Sequence, residues 1–124
     1  GHNHPKVVNA IKSQLDKYMH VMVYGEYIQK PAVELTKLLA ENLPSSLQKT
    51  YLTNSGTEAI EGALKLAKRA TKRSEIIAAN KAYHGNTMGS MSVMGFEERK
   101  RAFRKWIGQF IVINNKNLKN HMNY

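Results

Sequence analysis

The sequence contains no cysteine, so disulfide bonds and thiolate chemistry within this chain are excluded. This composition fits a reducing cytoplasm, which is the compartment we predict. Long apolar runs are also missing: no stretch of about eighteen apolar residues occurs, and we predict no membrane partner. The first residues, Gly1 to Pro5, are polar and no apolar segment follows them closely, which is not the pattern of a signal peptide.

Acidic residues are few. The chain carries nine Asp and Glu against 19 Lys and Arg, which gives a formal charge of +10. Such a surplus favours anionic partners, and a basic nucleic-acid-binding domain is one interpretation. The other is that the acidic segments of a larger protein lie outside this stretch. Because the basic residues are spread along the chain and cluster at predicted helix ends and solvated faces, we favour the second interpretation and predict no nucleic-acid partner.

Apolar spacing divides the chain into helices and strands. Steps of three and four residues predict helices at 5–18, 31–42, 57–72 and 97–105, with a shorter helical stretch ending at Gly95. Short apolar runs predict strands at 49–53, 75–79 and 110–113. Alternation of strands with crossover helices predicts an α/β fold with a mainly parallel sheet flanked by helices. We place a boundary between an N-terminal helical segment, 1–48, and the start of the sheet-containing domain, 49–124.

The segment Asn54 to Glu58 follows a predicted strand and opens a predicted helix. Amides at a helix start lack internal partners and the helix dipole adds positive charge there, so this position can hold a phosphate. Gly56 would let the backbone approach an anion, and the hydroxyls of Ser55 and Thr57 could donate to it. Ser55 and Glu58 also have the spacing of a capping box, which satisfies helix amides internally. The two interpretations stay open and are compatible.

A second candidate segment, Tyr83 to Thr87, again follows a predicted strand. The Tyr83 ring could stack on a flat ligand held by the first segment, and His84 could position or exchange protons near neutral pH. Gly85 would permit a tight turn. The competing interpretation is a partly buried tyrosine and a surface histidine in an ordinary turn, and these residues alone favour it.

The remaining candidates carry little functional information. His2 and His4 are spaced like half of a metal site, but no third ligand lies nearby in the sequence, and we predict no metal. Met88, Met91 and Met94 recur at three-residue steps, which is typical of methionines that fill a core.

Four segments taken together resemble the class III aminotransferases, the ornithine, acetylornithine and 4-aminobutyrate type. They occur in that family's order and rough spacing: Gly1–Val8, Asn54–Ala59, Gly62–Arg69 and Tyr83–Thr87. One segment alone would be weak, whereas the ordered set is specific. The resemblance covers Gly1 to Phe103; beyond it, 110–114 is similar to the family's next strand and 116–124 resembles nothing we can place.

The resemblance implies a cofactor, pyridoxal 5′-phosphate, and the fold-type I architecture. By this likeness the N-terminal helical segment leads into the cofactor-binding large domain, of which 49–124 is an incomplete start. Gly56 and Thr57, with Ser55 in the same loop, would hold the cofactor phosphate. Tyr83 would stack on the pyridine ring, with His84 beside it. Tyr24 falls in the region of the family that faces substrate, so the likeness implies a substrate contact there.

The family's reaction moves an amino group from an amino acid or ω-amine to a 2-oxo acid, usually in a homodimer. Two family residues are missing here. The lysine that forms the Schiff base with the cofactor has no counterpart among the basic residues, and the only aspartate, Asp16, precedes the phosphate loop and cannot be the pyridine partner. We therefore predict no catalytic residue in this chain and no turnover by it alone. The alternative is a truncated cofactor- or phosphate-binding module. The amino donor is not determined by this stretch.

Overall fold

The computed structural model describes residues 1–22 and 24–107, together with the strand at 111–113, of which only the backbone is described. Contacts within the chain separate two compact units, the first Gly1–Tyr51 and the second beginning at Leu52. None of the helices in the described part of the chain is long and apolar enough to cross a membrane.

The first unit contains two helices. Helix α1, Pro5–Leu15, begins after His4, whose Nδ1 accepts a hydrogen bond of 3.3 Å from the amide of Lys6. It ends before the predicted Tyr18, because the amide of Lys17 donates instead to the Gln14 carbonyl in a tighter turn. Helix α2, Lys30–Asn42, ends where predicted, since Pro44 forces its predecessor out of the helical region.

The strand predicted at 49–53 was wrong. This segment is extended but belongs to no sheet. A strand needs a neighbour to accept and donate its backbone hydrogen bonds, and within the described residues nothing pairs with this segment. Tyr51 is largely exposed, which fits an unpaired position.

The second unit holds the sheet. Helix α3, Gly56–Thr71, leads to strand β1, Ile77–Ala79, and after a crossover the chain returns as strand β2, Ile111–Ile113. The two strands are parallel, with Ala78 opposite Val112, so the predicted parallel α/β arrangement is confirmed. Phe110, predicted as part of the last strand, lies outside the described residues.

The crossover is built from short helices. Helix α4, Met88–Ser92, and helix α5, Glu97–Lys100, are followed by a 3₁₀ turn, Arg101–Phe103. The single helix predicted at 97–105 is therefore shorter than expected. An exposed ion pair between Glu97 and Arg104 joins its start to the residue after the turn.

The buried core of the described residues lies within this crossover. Met91, Met94 and Ile107 pack together, and the partly buried Phe96 lies against them. The prediction that methionines fill the core is confirmed for Met91 and Met94. It was wrong for Met88, which opens α4 and is half exposed.

Candidate functional site

The start of α3 carries the first predicted site. Ser55 caps the helix, because its Oγ accepts a hydrogen bond of 3.3 Å from the amide of Glu58. In a capping box the Glu58 carboxylate would accept from the amide of the cap residue, Ser55. Here it accepts instead from the amide of the preceding residue, Asn54, at 2.8 Å. The amides of Gly56 and Thr57 occupy the first two helical positions, where no carbonyl of the helix can accept from them. Among the described residues neither amide has another acceptor, so the cap leaves two donors at the positive end of the helix.

The second predicted segment meets the first at Gly85. This residue is buried and has a φ of +128°, a conformation that glycine adopts more readily than any residue with a side chain. A Cβ built on Gly85 would overlap the side chain of Thr57. The turn at Gly85 is thus what allows the backbone of one loop to lie directly against the other.

The two loops together form one cleft of about 550 Å³. Of the residues that we predicted as cofactor contacts, Gly56, Thr57, Tyr83 and His84 line it. Ser55 does not line the cleft but caps the helix beside it. The three other lining residues, Ile60, Gly85 and Asn86, were not predicted as cofactor contacts, and Gly85 was predicted only as a turn residue. Asn86 lies inside the predicted segment Tyr83–Thr87, whereas Ile60 carries no signal beyond its place one helical turn after Gly56.

The Tyr83 ring is held from one side. The guanidinium of Arg99 lies 5.7 Å from its centroid and 5.5 Å from that of Phe96. Cations within about 6 Å of an aromatic face are attracted by the ring quadrupole. The tyrosine side chain remains 55% exposed, so it is oriented by Arg99 and still accessible to a ligand.

A carboxylate that sequence reasoning missed joins α3 to α4. Oε1 of Glu61 accepts from the Thr87 hydroxyl at 2.5 Å and from the amides of Gly89 and Ser90 at 2.8 and 3.0 Å. These hydrogen bonds, with the one from the Thr87 hydroxyl first, lower the pKa of Glu61 from its ordinary 4.5 despite the opposing effect of partial burial. The ionised form of Glu61 is therefore the one that the fold stabilises.

The lowered pKa of Glu61 makes stability depend on pH. The contribution of these hydrogen bonds is complete above the ordinary value of 4.5 and is lost as the pH falls through the lowered one. We expect Glu61→Gln to lower the free energy of unfolding at neutral pH by about 1 kcal/mol, because a neutral acceptor forms weaker hydrogen bonds. As the pH falls below 4.5, the stability of this variant should fall less steeply than that of the parent.

Urea unfolding of the full-length protein over that pH range measures both effects. Glu34→Gln removes an exposed carboxylate of α2 and controls for the change in net charge. Identical slopes for Glu61→Gln and the parent would contradict the assignment of acid sensitivity to Glu61.

Two other candidates lie in the first unit. Tyr24 is exposed there and makes no contact that bears on its predicted role. His4 serves as the cap of α1. Within the described ranges no three His, Cys, Asp or Glu side chains come together as a metal site would require.

Comparison with known proteins places the chain in one family. The sequence model of the family described as aminotransferase class-III matches residues 1–123, so it also includes most of 116–124, the stretch that the motif resemblance left unplaced. Acetylornithine aminotransferase of Methanopyrus kandleri is 38% identical over 110 residues, covering 89% of this chain and 28% of that protein. The acetylornithine aminotransferase of Clostridium acetobutylicum is 41% identical over 114 residues, covering 87% of this chain and 28% of that protein.

The fold agrees with the sequence match. The crystal structure of adenosylmethionine-8-amino-7-oxononanoate aminotransferase from Methanocaldococcus jannaschii superposes with a TM-score of 0.84 at 30% identity, covering 90% of this chain and 27% of that one. The predicted fold, part of the fold-type I large domain, is thereby confirmed. The chain spans little more than a quarter of the length of the relatives it matches. It belongs to the class III aminotransferases.

Proposed function

We propose that this chain forms the phosphate-binding side of a pyridoxal 5′-phosphate site in an aminotransferase that moves an amino group from an amino acid or ω-amine to a 2-oxo acid. One observation carries the proposal. Gly56 and Thr57 at the start of α3, and Tyr83 and His84 after β1, line a single cleft although they are distant in sequence. The two segments that one bound ligand would have to contact therefore lie side by side in the fold.

The phosphate end of the cleft fits an anion. The amides of Gly56 and Thr57 have no acceptor among the described residues, and the sixteen-residue helix behind them adds its dipole. A Cβ built on Gly56 would meet no atom of another segment within 4 Å, so there is open space beside the residue that opens the helix. We propose that Gly56 and Thr57 bind the phosphate there, with Ser55 holding the loop in shape through its cap.

The other end of the cleft fits a flat ring. Tyr83 presents an accessible aromatic surface that Arg99 orients from one side, and aromatic rings stack favourably on such surfaces. We propose that Tyr83 stacks on the pyridine ring and that His84, which also lines the cleft, lies beside it. A volume of about 550 Å³ is ample for a ligand of this size.

When bound, pyridoxal phosphate supplies an electron sink for the reaction at the amino-bearing carbon. This chain's residues bind and orient the group but do not supply the lysine or the pyridine-facing aspartate, since the only aspartate, Asp16, stands at the C-terminal end of α1 and precedes the proposed phosphate loop. We propose that both come from outside the 124 residues and that the chain by itself shows no turnover. A homodimer in the cytoplasm, a boundary between segments 1–48 and 49–124, and a substrate contact at Tyr24 belong to the same proposal.

Gly56→Ala tests the proposed phosphate contact. Because a Cβ at Gly56 meets open space, we expect the melting temperature to be nearly unchanged. The same methyl group would enter the volume assigned to the phosphate, so the dissociation constant for pyridoxal phosphate should rise about tenfold. Titration of the cofactor-stripped, full-length protein measures it, with Lys65→Ala on the same helix as a control that should change neither quantity. Unaltered cofactor affinity in Gly56→Ala would place the phosphate elsewhere.

A further inference from the structure

Three hydroxyl groups form a connected cluster beside the proposed phosphate end. Oγ1 of Thr57 lies 2.7 Å from Oγ of Ser90 and 3.1 Å from Oγ1 of Thr87. The Thr87 and Ser90 oxygens are 2.8 Å apart. Ser90 is completely buried, and its oxygen also accepts from the amide of Thr87 at 3.1 Å. Thr57, which lines the cleft, is thus tied to the start of α4.

Glu61 joins this cluster through the Thr87 hydroxyl. It lies four residues after Thr57 in α3, so both side chains project from one face of the helix. That face meets α4, where the Glu61 carboxylate accepts from the Thr87 hydroxyl and from the amides of Gly89 and Ser90. One carboxylate therefore fixes the loop-to-helix junction that carries two of the three hydroxyls.

The carboxylate also orders the hydroxyl hydrogens. An ionised carboxylate can only accept, so Thr87 donates its single hydrogen to Glu61. The Thr87 oxygen can then only accept, from Thr57 or from Ser90, and the Ser90 hydroxyl has the Thr87 carbonyl, 3.2 Å away, as a second acceptor. Ser90 stays tied to the Thr87 backbone when the Glu61 charge or the Thr87 hydroxyl is removed, but Thr57 then loses either an oriented partner or one of its two hydroxyl contacts.

We infer that Glu61 is a positioning residue of the cofactor site: acting through Thr87 and Ser90, it places Thr57 at the phosphate end of the cleft. This inference rests on the proposed function. It differs from a merely structural tie between α3 and α4 in one measurable respect. A positioning role acts on the phosphate contact, whereas a structural role affects every part of the ligand alike.

The experiment compares two ligands, pyridoxal 5′-phosphate and pyridoxal, which lacks the phosphate. Both are titrated into the cofactor-stripped, full-length protein and into Thr87→Val, which keeps the β-branched shape but has no hydroxyl. We expect the dissociation constant for pyridoxal phosphate to rise about tenfold in Thr87→Val, and that for pyridoxal to change by less than about twofold. Thr87→Ser, which retains the hydroxyl, should restore phosphate-selective binding. Glu61→Gln, which retains the shape of the side chain, should show the same selective loss to a smaller degree.

Lys65→Gly is the matched control, because it weakens α3 at an exposed position without touching the cluster. It should leave the ratio of the two affinities unchanged. Equal loss of both ligands in Thr87→Val and Glu61→Gln, or no loss in either, would overturn the inference while leaving the proposed function in place. If the unsubstituted protein bound pyridoxal phosphate no more tightly than pyridoxal, the proposed function would fail and this inference with it.

Discussion

Replacing Gly85 by alanine is expected to lower the free energy of unfolding by about 3 kcal/mol. Two independent costs act at this position. The backbone φ of +128° is strained for alanine, and the new methyl group overlaps the Thr57 side chain and lies close to Oγ of Ser90. Thr57 cannot move aside freely, because its hydroxyl is held by Ser90 at 2.7 Å. Cofactor affinity should fall with stability, since the substitution separates the two loops that form the cleft.

Gly25→Ala separates these two costs. Gly25 also has a positive φ, +98°, but a Cβ there would meet no atom within 4 Å. We expect the free energy of unfolding of this control to fall by about 1 kcal/mol, because only the backbone strain acts there. Urea or thermal unfolding of the full-length variants provides the comparison. Equal losses for Gly85→Ala and Gly25→Ala would show that the contact between Gly85 and Thr57 is not as close as the structure describes.

The second large effect is expected for Gly95→Ala, which should also lower the free energy of unfolding by about 3 kcal/mol. The added methyl group would overlap backbone atoms of Ala79, Asn80 and Lys81. Backbone can yield only if the whole segment shifts. The amide of Gly95 donates to the Ala82 carbonyl at 2.8 Å, so a shift here displaces the segment that leads to Tyr83.

Gly89→Ala is the control for Gly95→Ala, because it also adds a methyl group at a crowded glycine but against a side chain and not against backbone. The three atoms nearest to its methyl group would belong to the carboxylate of Glu61, which is hydrogen-bonded but, as the end of a side chain, can shift more easily than backbone. We expect Gly89→Ala to lower the free energy of unfolding by only about 1 kcal/mol, because it weakens the hydrogen bonds to that carboxylate. Thermal unfolding compares the two variants. A Gly95→Ala protein as stable as the parent would contradict the close packing of the crossover against the end of β1.

Local signals in the sequence sufficed for the ends of several elements. Pro5, Ser55 and Pro44 each act through the chain immediately around them. Helix α1 begins at Pro5, α3 begins directly after Ser55, and α2 ends two residues before Pro44. The sequence suggested that both segments contact one ligand, but the premise that each follows a parallel strand holds only for Tyr83–Thr87, which comes after β1. The strand at 49–53 could not be judged locally, since a strand exists only when a neighbour pairs with it.

The cluster around Glu61 could not be predicted from the sequence. Thr57 and Ser90 are 33 positions apart, and Glu61 and Thr87 are 26 apart. Their contact depends on where the crossover sets α4 against α3, which no spacing rule encodes. A glutamate in the second turn of a helix is ordinarily a solvated side chain. Only the positions of the Gly89 and Ser90 amides show that this one is an acceptor for a second helix.

The most direct test of the central claim is a crystal structure of the full-length protein with pyridoxal 5′-phosphate bound. The account predicts phosphate oxygens about 3 Å from the amide nitrogens of Gly56 and Thr57, and the pyridine ring against Tyr83. A phosphate held by other residues, with the start of α3 facing solvent, would contradict the assignment of this cleft as the cofactor site.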